Sequence, residues 1–218
     1  MSALKQVSRA TMPRLMHSLE LATSGRATCR GCGHKIAAAT LRLGESVPNT
    51  FADEGGMTTH WYHPVCGALR RPEAFLAALS ESQHGGAEAP PHGEAPPHGG
   101  APPYEPPRDT QPAQVDESGV LRAEAEAGVA HHRLPRVSTA SLAPTGRATC
   151  RSCKALIDKG SWRIALVYYE EGRFSPSGFI HAACAGAYLE STDILWRIRH
   201  WSPGLTPDEL ADLAAAIR

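Results

Sequence analysis

The six cysteines of this 218-residue chain, together with two histidines, are the residues whose spacing most clearly indicates chemistry. They form two groups, each opened by Cys-x-x-Cys and closed, after a long insert, by His-x-x-Cys. Each group holds an odd number of thiols, which argues against a disulfide framework. Three thiolates and one imidazole match the donor set of a closed, four-coordinate Zn²⁺ site. The two groups are Cys29, Cys32, His63 and Cys66, and Cys150, Cys153, His181 and Cys184.

A zinc ion with four protein ligands has no open position for water, so both ions are predicted to be structural rather than catalytic. Each group lies in a segment too small to build a large hydrophobic core, so zinc is expected to contribute directly to folding. Two further histidines, His34 and His60, fit neither set of spacings. They are predicted to be surface residues.

The two groups belong to an internal duplication. Residues 25–29, Gly-Arg-Ala-Thr-Cys, recur as residues 146–150, and Leu41-Arg42-Leu43 aligns at the same offset with Trp162-Arg163-Ile164. A duplicated segment of this size indicates two structural units. The predicted organisation is a flexible N-terminus at 1–12, a first unit at 13–82, a linker at 83–133 and a second unit at 134–218.

The segment 83–133 is rich in Pro and Gly, contains few large apolar residues and carries an acidic excess. Such a composition cannot bury enough surface to offset the entropy of ordering the chain. We therefore predict a disordered linker. A random coil of about fifty residues spans ~40 Å on average, enough to let the two units move independently.

Elements that could position the ligands are visible in both units. Residues of β-type sequence surround the cysteines, at 15–21, 40–46 and 161–169. A helix is predicted after the first group at 72–80. A second begins near the C-terminus, where Thr206 suits an N-cap, Pro207 the first helical position and Glu209 a capping box.

Composition and motifs exclude several classes of protein. Lys plus Arg equals Asp plus Glu, at 22 each, so no overall basic excess indicates a polyanion partner. No apolar run is long enough to cross a bilayer, and the N-terminus lacks the apolar stretch of a signal peptide. The chain is therefore expected to be intracellular. No catalytic motif accompanies the two zinc groups, so the protein is predicted not to be an enzyme.

Three stretches together resemble the zinc finger of poly(ADP-ribose) polymerases, which also occurs on a eukaryotic DNA ligase and in certain DNA 3′-phosphatases. They are SGRATCRGC at 24–32, LRLG at 41–44 and HWYHPVC at 60–66. The resemblance covers 13–82 strongly and 135–218 less completely. It implies an α+β fold: two small zinc-stapled domains, each a short antiparallel sheet with C-terminal helices, joined by the linker.

The resemblance implies binding to DNA strand breaks without regard to sequence. In the family, arginines of the SGRA element and of the following strand grip backbone phosphates. Guanidinium groups pair bidentately with phosphate and read no bases, which is consistent with that role. The matching positions here are Arg26 and Arg42 in the first unit, and Arg147 and Arg163 in the second.

Family members also place apolar residues of the insert against the base pair that a break exposes. Phe51 and Met57 are the candidates in the first unit, and Phe174 in the second. Stacking on a base is worth ~1–3 kcal/mol. In the second unit Phe179 replaces Trp61 and is expected to fill the same space. Two alternatives stay open: the units divide the work across a break, or the second is mainly structural.

The sequence thus predicts a sensor or recruitment factor for DNA nicks, gaps or ends. The expected protein partner is a ligase, a nuclease or another repair enzyme, with no membrane and no small-molecule substrate. The expected location is the cytoplasm or nucleoid of a bacterium, or a eukaryotic nucleus. Structured RNA ends share the same chemistry. The alternative function is a zinc-stabilised protein-interaction adaptor that presents Trp196 and Trp201 to a partner.

Overall fold

The structure, a computed structural model, describes residues 17–49, 56–84, 119–170 and 172–218. The predicted flexible N-terminus, the first residues of the first unit and most of the predicted linker lie outside the described residues. Within them, two units each consist of a three-stranded antiparallel sheet followed by helices. The predicted α+β class is confirmed.

The first unit contains three strands in sequential order, followed by two helices. They are β1 (Ser18–Leu21), β2 (Leu41–Pro48), β3 (Met57–Tyr62), α1 (Pro64–Arg70) and α2 (Pro72–His84). The core lies between the sheet and the helices, around Leu43, Tyr62 and Phe75, which are fully buried. Gly67 lets α1 approach β2, since a Cβ there would lie 2.5 Å from the Leu43 side chain.

The second unit repeats the sheet and adds three helices. Its elements are β4 (Val137–Leu142), β5 (Trp162–Glu170), β6 (Arg173–His181), α4 (Ala185–Leu189), α5 (Leu195–Trp201) and α6 (Pro207–Ala216). At the start of α6, the Thr206 hydroxyl accepts the Glu209 N–H at 3.2 Å. The Glu209 carboxylate in turn accepts the Thr206 N–H at 2.8 Å. The predicted capping box is confirmed.

One part of the predicted disordered linker is ordered, and the prediction is wrong there. Residues 120–130 form a helix, α3 (Val120–Ala130). Ala125 is completely buried in the core of the first unit, and Leu121 packs against that core. The Pro/Gly-rich composition of 83–133 as a whole conceals this local stretch, in which Leu, Ala and Glu are strong helix formers.

The two units pack directly against each other through a pair of buried arginines. Arg70, at the end of α1, donates to the carbonyl oxygens of Pro135 at 2.9 Å and Val137 at 2.7 Å. Arg197 of α5, in the second unit, is 1% exposed and forms a 2.8 Å ion pair with Glu124 of α3, the helix that packs on the first unit. Burial lowers the pKa of both guanidinium groups, so the contacts offset a desolvation cost.

This docking differs from the expectation of two independently moving units. The prediction of independent units rested on the length of the linker alone. In the structure, buried arginines and apolar side chains on α1, α3 and α5 join the surfaces of the two units. Among the described residues, no helix is long and apolar enough to cross a membrane.

Candidate metal centres and nucleic-acid interface

The first metal centre is assembled by the loop between β1 and β2 and by the start of α1. A short antiparallel bridge between Thr28 and Lys35 closes the turn that carries Cys29 and Cys32. His63 is the N-cap of α1, and Cys66 lies in its first turn. The four ligand atoms lie within 4.8 Å of one another. Zinc–sulfur bonds of ~2.3 Å separate tetrahedral donors by roughly 4 Å, so the set fits Zn²⁺.

The second centre repeats this construction. A bridge between Thr149 and Leu156 closes the turn of Cys150 and Cys153. His181 ends β6, and its Nδ1 lies 3.4 Å from Cys153 Sγ and 3.8 Å from Cys184 Sγ. Its four ligand atoms also lie within 4.8 Å of one another. The structure thus brings both predicted ligand sets together, and each forms a structural zinc site.

Backbone amides favour the thiolate form of the first cysteine in each set. The N–H of His63 points at Cys29 Sγ, and that of His181 at Cys150 Sγ, both at 3.4 Å. A hydrogen bond with Cys66, together with backbone N–H groups that include that of His63, lowers the pKa of Cys29 to about 4 despite burial. Burial raises the pKa of Cys150, but backbone N–H groups outweigh it and lower the pKa to about 6. Both sulfurs are prepared for metal binding.

The orientation of the second imidazole is fixed by an outer contact. His181 Nε2 lies 3.1 Å from the carbonyl oxygen of Leu156, so the ring donates Nε2–H to that carbonyl. This bond leaves Nδ1 without a proton and facing the thiols. Holding the distal ring nitrogen in this way is a common feature of zinc-binding histidines.

The surroundings of the two centres differ. Cys29 and Cys66 are buried, whereas Cys153 is exposed. The first centre is covered by α5 of the second unit, where His200 Nε2 lies 3.3 Å from Cys66 Sγ. This contact could not be predicted from the sequence, because His200 fits no ligand spacing and lies in the other unit.

His60 is not the surface residue that its sequence context predicted. It is only 7% exposed, and its Nδ1 lies 3.2 Å from the hydroxyl of Tyr169 in the second unit. Gly172 approaches the ring so closely that a Cβ there would lie 2.5 Å from His60 Cε1. The prediction failed because the surface that covers His60 comes from the distant β5–β6 hairpin. His34 is exposed, as predicted.

The four predicted phosphate-binding arginines occupy two kinds of position. Arg26 and Arg147 are exposed in turns that precede the cysteine pairs. Arg42 and Arg163 lie on β2 and β5, each with its guanidinium over an aromatic ring of the next strand. The separations to the ring centroids are 3.5 Å to Trp61 and 4.0 Å to Phe179, so Phe179 takes the place of Trp61 as predicted.

The two strand arginines have different partners. Arg42 is 7% exposed and forms a 2.6 Å ion pair with Glu20, its register partner on β1. The register partner of Arg163 is Ser141, whose hydroxyl accepts from Nε at 3.4 Å. Among the described residues, no carboxylate lies within ion-pair distance of Arg163. The first guanidinium is neutralised within the fold, and the second keeps its charge available.

The three residues predicted to stack on an exposed base differ in their surroundings. Phe51 lies outside the described residues. Met57 opens β3 and is 39% exposed. Phe174 is half-buried, with its ring 4.9 Å from that of Tyr169, and packs against the core of the first unit. The first unit covers this ring, so the structure does not present Phe174 as a base platform.

Trp196 and Trp201, the two tryptophans that the adaptor alternative presents to a protein partner, differ in their surroundings. Trp201 packs against the first unit beneath the guanidinium of Arg70, 4.1 Å from the ring centroid. Trp196 is 36% exposed. One of the two rings proposed for an external partner is therefore occupied by the chain itself.

Comparison with known proteins supports the assignment of the first unit. Residues 20–84 match the family described as "Poly(ADP-ribose) polymerase and DNA-Ligase Zn-finger region". Poly [ADP-ribose] polymerase 1 of Gallus gallus is 35% identical over 80 residues, which cover 36% of this chain and 8% of that protein. The Xenopus laevis protein of the same name is 37% identical over 65 residues, covering 29% and 6%.

The chain thus spans less than a tenth of the length of these relatives, and the match lies in their zinc-finger region. The resemblance predicted from the sequence is confirmed for the first unit, and the second repeats its order of ligands and strands. Over residues 20–84 the chain is therefore similar to the zinc fingers of poly(ADP-ribose) polymerases and DNA ligases.

Proposed function

We propose that this protein binds DNA strand breaks without regard to base sequence. The observation that carries the proposal is the duplicated arrangement of an exposed turn arginine and a strand arginine stacked on an aromatic ring. The first copy lies in a segment that matches a family named for poly(ADP-ribose) polymerases and DNA ligases. The description of this family names DNA ligases, which supports a nucleic-acid ligand.

Phosphate contacts supply most of the proposed affinity. Arg26, Arg147 and Arg163 are not paired with a carboxylate in the described structure, and their forked guanidinium groups match phosphate oxygens. Contacts of this kind position a protein on the backbone and carry no sequence information. Arg42 contributes less, because Glu20 already neutralises it.

Preference for a break requires a group that recognises an exposed base. Met57 is the described candidate, since it is exposed at the start of β3 beside the insert that also carries Phe51. An intact duplex hides base faces, whereas a nick that opens displays them. Stacking worth ~1–3 kcal/mol corresponds to roughly a 5- to 150-fold preference for broken DNA.

The docked arrangement adds a second source of selectivity. Because the two units pack against each other, their phosphate-binding arginines lie at a fixed separation. DNA that contacts both units must bend to fit this separation. Bending a continuous duplex costs about 1–6 kcal/mol, and a nick or gap lowers this cost. This supports a division of work between the units, both of which contact one broken duplex.

We propose that the protein acts as a sensor or recruitment factor rather than as an enzyme. Both metal centres have complete Cys3His ligand sets, which favours a structural role for zinc. The proposed partner that performs chemistry is a ligase, a nuclease or another repair enzyme. The proposed location is that of the DNA, either a bacterial nucleoid or a eukaryotic nucleus.

Fluorescence anisotropy with matched oligonucleotides tests this proposal. Nicked, gapped and blunt-ended DNA should bind more tightly than a hairpin-capped intact duplex of the same sequence. Met57→Ala should reduce the preference and leave weak, salt-sensitive binding. Thr59→Ala, an exposed residue on the same strand, serves as the control. Equal affinity for all DNA forms, or a preference for RNA ends, would refute the proposal as stated.

A further inference from the structure

The helix α5 of the second unit lies over the zinc centre of the first. His200 Nε2 is 3.3 Å from Cys66 Sγ, and the adjoining Trp201 packs against the core that includes Cys29 and Cys66. The Trp201 ring comes close enough that a Cβ on Gly31 would lie 3.5 Å from it. The corresponding cysteine of the second centre, Cys184, has no such contact with the other unit among the described hydrogen bonds.

Chemistry fixes the direction of the contact between His200 and Cys66. A zinc-bound cysteine is a thiolate and carries no proton, so its sulfur can only accept. The neutral ring of His200 must then donate its Nε2–H. Such an outer hydrogen bond holds the sulfur in place and stabilises the thiolate, which favours retention of the metal.

Buried contacts on the same helix hold His200 in this position. Arg197, one turn earlier, is anchored by its ion pair with Glu124 and donates to the carbonyl oxygen of Leu69. Arg70 lies over Trp201 from the opposite side. Withdrawal of α5 would break the ion pair between Arg197 and Glu124 and remove Trp201 from beneath the guanidinium of Arg70.

We propose that His200 is an outer-sphere positioning residue for the first zinc ion, and that docking of the second unit and retention of this zinc are thermodynamically linked. Docking slows the release of zinc from the first centre, and by reciprocity zinc in that centre stabilises docking. The second centre is not subject to this linkage. The inference uses only contacts within the chain and does not depend on DNA binding.

The test compares two substitutions in the full chain loaded with ¹¹³Cd²⁺, which replaces zinc and gives one NMR resonance per centre. His200→Leu removes the donor, whereas His200→Gln keeps an amide N–H near the position of Nε2. Each resonance is assigned through its coupling to the ligand protons of His63 or His181. Its loss is then followed after the addition of a chelator.

We expect His200→Leu to shift the first resonance and to speed its loss by about tenfold or more, because loss of an outer-sphere partner costs 10- to 100-fold in metal affinity. His200→Gln should restore most of the original rate. The second resonance should be unchanged in both, and Arg199→Ala, an exposed neighbour on α5, should change neither.

Three outcomes would overturn the inference. The first is release from the first centre that is unaffected by His200→Leu. The second is equal acceleration at both centres, which would indicate general unfolding. The third is a Gln variant that behaves like the Leu variant, which would show that packing rather than the hydrogen bond matters.

Discussion

At the scale of single residues, one charge pair distinguishes the two sheets. Glu20 faces Arg42 across β1 and β2, and Ser141 faces Arg163 at the equivalent position of β4 and β5. A phosphate must compete with a carboxylate for Arg42, whereas only a hydroxyl contacts Arg163 from that strand. The two units are therefore expected to contribute unequally to DNA binding.

Adding a carboxylate beside Arg163, or removing the one beside Arg42, should change the contribution of that arginine to DNA binding. We expect Ser141→Glu to weaken binding to nicked DNA and to reduce the salt slope, −d log K/d log[salt], by about 1, because one phosphate contact is lost. Glu20→Ser should raise the slope by about 1. Thr139→Glu adds the same charge at an exposed position of β4 that is not the register partner of Arg163, and is the control. Unchanged slopes in both variants would remove the strand arginines from the interface.

The residue scale also shows how far the sequence could predict the sites. Spacing identified all eight metal ligands, because Cys-x-x-Cys and His-x-x-Cys bring donors together through local geometry. The partners of His60, Cys66 and Phe174 could not be predicted in this way. Each lies in the other unit, and neither composition nor periodicity specifies which surfaces meet.

At the scale of elements, local sequence predicted β1, β2, β5, α2 and the start of α6, but it did not predict α3. The capping box of α6 is a four-residue pattern with a direct physical cause, so it could be recognised from the sequence. The helix α3 was missed because the Pro/Gly-rich residues on its N-terminal side dominated the composition of 83–133. Its stability depends on burying Ala125 in the first unit.

Two matched substitutions test the packing of α3. Ala125→Asp would place a charge in the first core and should lower the free energy of unfolding by about 2–4 kcal/mol. Ala123→Asp makes the same change at an exposed position of the same helix and should alter it by less than about 0.5 kcal/mol. Thermal or urea unfolding monitored by circular dichroism provides the comparison. Equal effects would mean that α3 does not pack on the first unit.

The cap of α6 gives a smaller effect at the same scale. Thr206→Ala removes the hydroxyl that accepts the Glu209 N–H and should destabilise the second unit by about 1 kcal/mol. Thr206→Ser keeps the acceptor and should restore most of the loss. Both are measured as shifts of the urea midpoint, and an Ala variant as stable as the original chain would contradict the assignment of the cap.

At the scale of the whole molecule, the docking of the units changes how the proposed function works. Independent fingers on a tether would gain affinity from effective concentration, whereas a packed pair selects DNA that fits its shape. The central contact is Arg70, which is 5% exposed and donates to two carbonyl oxygens and a hydroxyl of the second unit. Sequence patterns could not predict it, because a lone arginine usually indicates a solvated charge.

Loss of Arg70 should separate the units. In Arg70→Ala the carbonyl oxygens of Pro135 and Val137 lose a buried donor, at about 1–3 kcal/mol for each unsatisfied group. Small-angle X-ray scattering, with excess zinc present to keep both metal centres loaded, should show a larger radius of gyration. Arg199→Ala, with an exposed side chain on α5, should leave the scattering curve unchanged. An unchanged radius in Arg70→Ala would show that this contact does not hold the units together.

The central claim is that the protein recognises the interruption of a duplex rather than its base sequence. The most direct measurement is the affinity of the zinc-loaded chain for one hairpin-capped duplex that carries a single nick, before and after the nick is sealed by a ligase. The account predicts that sealing this one phosphodiester bond weakens binding by at least about fivefold. Equal affinity for the nicked and the sealed molecule would contradict it.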